Sequence, residues 1–362
     1  MPTILPGKTL PRTINRLAGL SLATGLTLLA ATNATAVLFL DRSLFVPLQA
    51  VILKVEARLT NGRLFVGTGV TVAPGIVLTN CHVVSDAERI TVSKRAGRFE
   101  AIAQHAAGKH DLCFLKVPKW RGQPIKVATS AKPRIHQPAA AIGYTGGAEM
   151  SFSEGRVSAL YPYEDSHLVQ TTSGFTSGAS GGALLNEAAE LIGILTFRLP
   201  GRSGHYYAVP ASWISDDMPR PEDWQTIGSP IAVKPFWQGQ IETLPYFMQV
   251  APLEAQSRWQ DLLTLSDAWR SSNPDSVEPL ITKSRALTRL NRSREAIEIL
   301  TEATTQDAQN SQAWFELAQL LSDNDQPDAL PPIRQRLKTL DASLLKRLDT
   351  LLADASERKS NQ

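Results

Sequence analysis

The stretch Leu78-Thr79-Asn80-Cys81-His82-Val83-Val84 ends a short apolar strand on a histidine. Two further segments give it meaning: His110-Asp111-Leu112, and the loop Gly178-Ala179-Ser180-Gly181-Gly182. Together they offer an imidazole, a carboxylate and a hydroxyl in the order His82, Asp111, Ser180. Acyl transfer needs those three groups: a nucleophile, a base to take its proton, and an acid to orient the base and balance its charge. The glycines beside Ser180 suit a sharply turned loop that aims backbone N–H groups at a developing oxyanion. Gly178 and Ser180 are the candidate donors.

The surroundings of these motifs are β-rich. Between about Gln49 and Trp213, short apolar runs such as 50–55, 75–79, 90–92, 112–117 and 191–195 alternate with Gly, Pro and Asn. Close spacing of that kind predicts an all-β sandwich or barrel. Across the 362 residues, 43% hydrophobic and 20% charged side chains exclude general disorder, and a net charge of +3 gives no footprint for a nucleic-acid partner. Two cysteines exclude a disulfide-dense scaffold. No glycine-rich phosphate loop is present.

Gly67-Thr68-Gly69, residues 78–84, residues 111–116 and residues 178–182 resemble, in that order, the trypsin-like serine peptidases, and among them the bacterial HtrA-like branch. The resemblance covers roughly residues 50–213. It implies a double β-barrel with the triad at the barrel interface, polypeptide substrates and no cofactor or metal. It also implies that Thr196, in Gly193-Ile194-Leu195-Thr196-Phe197, donates a hydrogen bond to Asp111, and that Phe197 lines the substrate channel. Gly174 falls at the pocket floor with Phe175 nearby and Tyr206 narrowing the space, which predicts a small apolar side chain before the cut. Ala179 stands where digestive members carry an aspartate that pairs with a newly cut N-terminus, so activity is expected not to depend on trimming. HtrA members carry PDZ modules, and none is read here. Cys81 and Cys113 flank the base and the acid, so a fold that assembles the triad brings them close. A disulfide, two buried thiols, or a metal site that takes up His82 and His110 all remain open. His110 is read as structural, and His105, His136, His167 and His205 have no partner motif.

The ends differ from the middle. Lys8, Arg12 and Arg16 precede an uncharged run over 17–40, and Ala34-Thr35-Ala36 offers a small-x-small cleavage site. Residues 1–36 therefore read as a signal peptide, or, if uncleaved, as a membrane anchor over 17–40, with the remainder exported to the periplasm or cell envelope. The peptidase-like region is expected over 45–215 and a linker over 216–252, where the segment 214–252 holds six prolines without a clear period. Residues 253–356 contain no glycine and carry Leu and Ala at helical spacing. Matches at a shift of about 34 residues resemble the tetratricopeptide repeat, with units near 277–310 and 311–344 and a possible protein partner. Pro331-Pro332 should kink or restart a helix there. The expected architecture is thus an all-β trypsin-like double barrel followed by an all-α repeat domain. Its expected function is that of an exported serine endopeptidase, and the alternative is a catalytically weak envelope scaffold on a peptidase frame.

Overall fold

Leu112, Cys113, Phe114 and Leu115 are all fully buried, as befits a central strand covered on both faces rather than one facing water. This strand belongs to the first of two antiparallel sheets. In the computed structural model, residues 45–95, 97–128, 132–146, 149–199 and 206–360 are described. The expected leader or anchor, and His205, lie outside them.

A short helix, α1 (Phe45–Val51), leads into β1 (Ile52–Leu59), β2 (Leu64–Ala73) and β3 (Ile76–Asn80). One helical turn, α2 (Cys81–Val84), precedes β4 (Ala87–Lys94), β5 (Gly97–Glu100), β6 (Ala103–Ala107) and β7 (Leu112–Lys116). The second sheet comprises β8 (Pro138–Thr145), β9 (Glu149–Tyr163), β10 (Ser166–Thr171), β11 (Ala183–Leu185), β12 (Leu191–Arg198) and β13 (Tyr206–Pro210). After α3 (Trp213–Asp216), the chain returns to add the two-residue strand β14 (Gln225–Thr226) to the first sheet beside β6.

The second sheet closes into a six-stranded barrel in the order β10-β13-β12-β11-β8-β9. The first runs β14-β6-β7-β3-β2-β1-β4-β5 and stays open, so only one of the two expected barrels closes. Its outer strand β5 alternates exposed and half-buried residues and presents Arg98 and Glu100, which pair with Glu56 and Arg89. Charge along an edge discourages further strand pairing.

The register between β3 and β7 positions the site. Leu78 faces Phe114, Thr79 faces Cys113 and Asn80 faces Leu112. The residues just past Asn80 therefore arrive beside the residue just before Leu112, which brings Cys81 and His82 to Asp111.

Seven helices follow among the described residues: α4 (Tyr246–Ala255), α5 (Trp259–Ser272), α6 (Glu278–Arg289), α7 (Ser293–Gln306), α8 (Ser311–Asp323), α9 (Leu330–Leu340) and α10 (Ala342–Ser360). They form a bundle of neighbouring pairs in which the small residues Ser284, Ala296 and Ala318 are buried at the packing faces. Pro331 and Pro332 lie in the first turn of α9, where a missing N–H removes no helical hydrogen bond, so the helix restarts rather than kinks. Within the bundle, Arg285 of α6 makes a two-pronged ion pair with Glu316 of α8.

The helices begin before the expected boundary. α4 starts at Tyr246, within the stretch read as linker, because Phe247, Met248, Val250 and Leu253 have an apolar face to bury. Phe247 stacks on Tyr161 of β9 at 3.9 Å and on Tyr207 of β13 at 5.0 Å, so the main hydrophobic core runs unbroken from barrel to helices.

Candidate active site

Asp111 is fully buried and adopts left-handed backbone geometry (φ 59°, ψ 32°) at the end of the tight turn Gly108–His110. Asp is among the few side chains that tolerate this region. The turn aims its carboxylate back at α2. Oδ1 accepts the His82 backbone N–H at 2.9 Å, and Oδ2 lies 2.6 Å from His82 Nδ1. The Asp111 carbonyl accepts from Cys81 N–H at 3.1 Å and from Asn80 Nδ2 at 2.9 Å. A carboxylate only accepts, so Nδ1 carries the proton of this pair and Nε2 of the neutral ring is left as the acceptor. Cys81 and Cys113 form a disulfide across the same junction, with Cα atoms 4.8 Å apart. Neither sulfur is a thiol, and His110 is held elsewhere, so those residues form no metal centre with His82.

The Ser180 loop is fastened from several sides. Thr68 N–H donates to the Ser180 carbonyl (2.8 Å), Thr68 Oγ1 donates to the Gly178 carbonyl (2.7 Å), and Gly181 N–H donates to the Leu195 carbonyl (2.8 Å). Gly181 has φ +85°, and a Cβ there would meet the Thr68 carbonyl oxygen at 2.1 Å, so no other residue fits. Gly178 also has positive φ (+95°). Neither Gly178 N–H nor Ser180 N–H finds an acceptor among the described residues. The Ser180 hydroxyl lies 3.4 Å from the Thr196 carbonyl, and that is its hydrogen-bond partner rather than His82.

One expected role takes a different form. Thr196 does not donate to Asp111: its Oγ1 gives its single proton to the Ile194 carbonyl at 2.7 Å and accepts from Asn80 Nδ2 at 3.2 Å. Trp237 donates to Asp111 Oδ2 instead, through Nε1 at 3.1 Å. Phe197 packs in the main hydrophobic core, whereas Phe175 and Tyr206 pack in the smaller barrel cluster. Phe175 and Tyr206 approach with ring centroids 5.2 Å apart, and the Tyr206 hydroxyl lies over Gly174. Phe197 is 8% exposed and stacks on Tyr207 (5.0 Å) and Trp237 (5.7 Å), with Phe236 at its edge.

Sequence reading missed Trp237 because it sits in a segment without period. The usable signal was the adjacent aromatic pair Phe236-Trp237 in a proline-punctuated stretch. Large aromatics of that kind are rarely left free in water.

His110 is part of a separate clasp. Nδ1 meets Asp217 Oδ2 at 2.7 Å, Nε2 meets Glu164 Oε2 at 2.8 Å, and the ring stacks on Trp213 at 4.0 Å. Burial pulls this imidazole down, but the two carboxylates outweigh it and leave it raised above 6.5. His105 faces the Asp223 carbonyl, His136 pairs with Asp307 of the bundle, and His167 is lowered chiefly by burial.

A family model described as a trypsin-like peptidase domain matches residues 67–194. This stretch is therefore similar to a trypsin-like peptidase domain. Serine endoprotease DegS of Salmonella typhimurium is 36% identical over 129 residues, which is 34% of this chain and 36% of that protein. The periplasmic pH-dependent serine endoprotease DegQ of Escherichia coli is 35% identical over 159 residues, 40% of this chain and 35% of its own. The chain thus spans about a third of the length of these relatives. Among solved structures, a serine endoprotease from Yersinia pestis aligns with 30% identity and a TM-score of 0.42, covering 46% of this chain and 63% of that one. The peptidase-domain match ends before Trp237 and the helices, so both lie beyond what the family model describes.

Proposed function

We propose that the chain is a serine endopeptidase acting on polypeptides. The observation that carries this reading is the buried Asp111 carboxylate gripping His82 at both its backbone N–H and Nδ1. In the proposed reaction, Ser180 Oγ attacks the scissile carbonyl while its proton passes to His82 Nε2. The oxyanion then takes hydrogen bonds from Gly178 and Ser180 N–H. Return of the proton to the leaving amine gives an acyl-enzyme, and water attacks it by the same route to regenerate Ser180. The hydroxyl must swing from the Thr196 carbonyl toward Nε2, an adjustment compatible with a site whose hydrogen bonds tighten when substrate is bound.

Gly174, Phe175 and Tyr206 would shape the pocket for the residue before the cut, and with no carboxylate among them a small apolar side chain is favoured over Lys or Arg. Ala179 supplies no acid to pair with a trimmed N-terminus, so no zymogen switch of that kind is needed. The reaction as drawn requires no cofactor. The disulfide and the periplasmic naming of relatives such as DegQ support a location outside the cytoplasm. No helix among the described residues is long and apolar enough to cross a membrane; the uncharged run 17–40 would be the anchor if it is not cleaved. The paired helices would serve as a repeat-like docking surface for a protein partner.

The position of the Ser180 hydroxyl against Thr196 favours one second reading, a catalytically weak scaffold on the same frame. Hydrolysis of an unstructured polypeptide separates the two. The peptidase reading expects cleavage that disappears in Ser180→Ala while the fold is kept. Cleavage that survives this change, or none from folded wild type, overturns it.

A further inference from the structure

Trp237 lies outside the matched peptidase domain, in the segment between β14 and α4, yet it contacts both members of the candidate dyad. Its Nε1–H donates to Asp111 Oδ2 (3.1 Å), its ring meets the His82 imidazole edge-on (5.4 Å, 86° between planes), and it stacks on Phe197 (5.7 Å). Oδ2 is the same oxygen that holds His82 Nδ1.

We propose that Trp237 is a positioning residue of the active site, setting the Asp111–His82 pair in place of the hydroxyl that Thr196 does not offer. This rests on the peptidase reading above. One donor fixes Oδ2 between two N–H groups, and the indole walls the carboxylate and one side of the imidazole from water, so the imidazole loses rotational freedom and its pairing is not diluted by solvent. The segment is held on both sides of the site. Phe236 packs on Tyr163 (4.6 Å) and Phe197 (6.1 Å), Ile231 and Val233 lie over Gly108 in the turn that presents Asp111, and Phe247 of α4 stacks on the barrel. The active site is therefore completed by the stretch that joins the barrel to the helices.

Trp237→Phe keeps a ring and removes the N–H, whereas Trp237→Ala removes both. In the full chain, kcat on a peptide substrate should fall about tenfold or more in Trp237→Phe with KM nearly unchanged, and further in Trp237→Ala, as expected for loss of a hydrogen bond to a charged group. Proton NMR gives a readout independent of turnover. In wild type the Trp237 Nε1–H should exchange slowly, and the His82 Nδ1–H signal should move in Trp237→Phe. An unprotected Nε1–H in wild type, an unmoved His82 signal, or unchanged or faster turnover in the variants would overturn the proposal; faster turnover would mark Trp237 as an obstruction. A wild-type chain that cleaves nothing sinks the peptidase reading, and the NMR arm still decides whether Trp237 holds the pair.

Discussion

Two neighbouring residues on one turn do different jobs. Asp111 turns inward to His82, while His110 turns away to join the two sheets through Asp217 and Glu164. The His110 clasp makes stability depend on pH with a definite sign. His110 is raised in the folded state, so its contribution is full below its ordinary 6.5 and is lost as pH rises through the raised value. Glu164 is lowered, first by its hydrogen bond to Lys109 and then by that to His110, so its share is present above the ordinary 4.5 and is lost as pH falls through the lowered value. Chemical denaturation followed across pH should therefore show wild type losing stability above neutrality by more than His110→Gln does. Parallel profiles for the two proteins would remove the clasp from the account. The sequence placed His110 beside the acid and gave it a structural reading, but its partners come from remote segments and carry no local pattern.

Among the elements, the junction of β3, α2 and β7 matters most. Its register was implicit in the strands themselves, since apolar runs ending at Asn80 and beginning at Leu112 can pair in few ways that bury both. The disulfide at this junction links residues 32 apart. Loop-closure entropy for such a ring corresponds to about 3–4 kcal/mol. Replacing both cysteines with serine should lower the unfolding free energy by about that amount, measured by denaturant titration, and no change would show the junction to be held by packing alone. The Ser180 loop was equally legible, because Gly181 has a backbone geometry and a neighbour, the Thr68 carbonyl, that exclude a side chain. What could not be read was how hydroxyl protons are shared. Thr196 has one and gives it to the Ile194 carbonyl; the residue sits where the pairing of β12 with β13 shifts register, between Leu195 and Phe197, and neither feature has a local sequence signal. Barrel closure was also beyond reach, since it depends on strand twist and stagger rather than on residue type.

For the molecule as a whole, the β-part and the helical part are not beads on a string. Tyr161, Tyr207, Phe247 and Trp269 make one aromatic seam, and the segment carrying Trp237 crosses the site before entering α4. Composition distinguishes a β-rich part from a helical part and reads the stretch between them as a linker laid over the surface; in the structure α4 begins inside that stretch, and Phe236 and Trp237 pack from it onto the barrel. Phe247→Ala should cost about 3–5 kcal/mol of stability, as for a buried aromatic. It should also lower activity by loosening that stretch, whereas a tethered, independent helical part would leave turnover unaltered. The central claim, however, concerns Ser180 itself. Treating the folded chain with a fluorophosphonate and mapping the adduct by mass spectrometry tests it most directly. The account predicts one adduct per chain, located on Ser180 and lost in His82→Ala; an adduct on another residue, or none on intact protein, would contradict it.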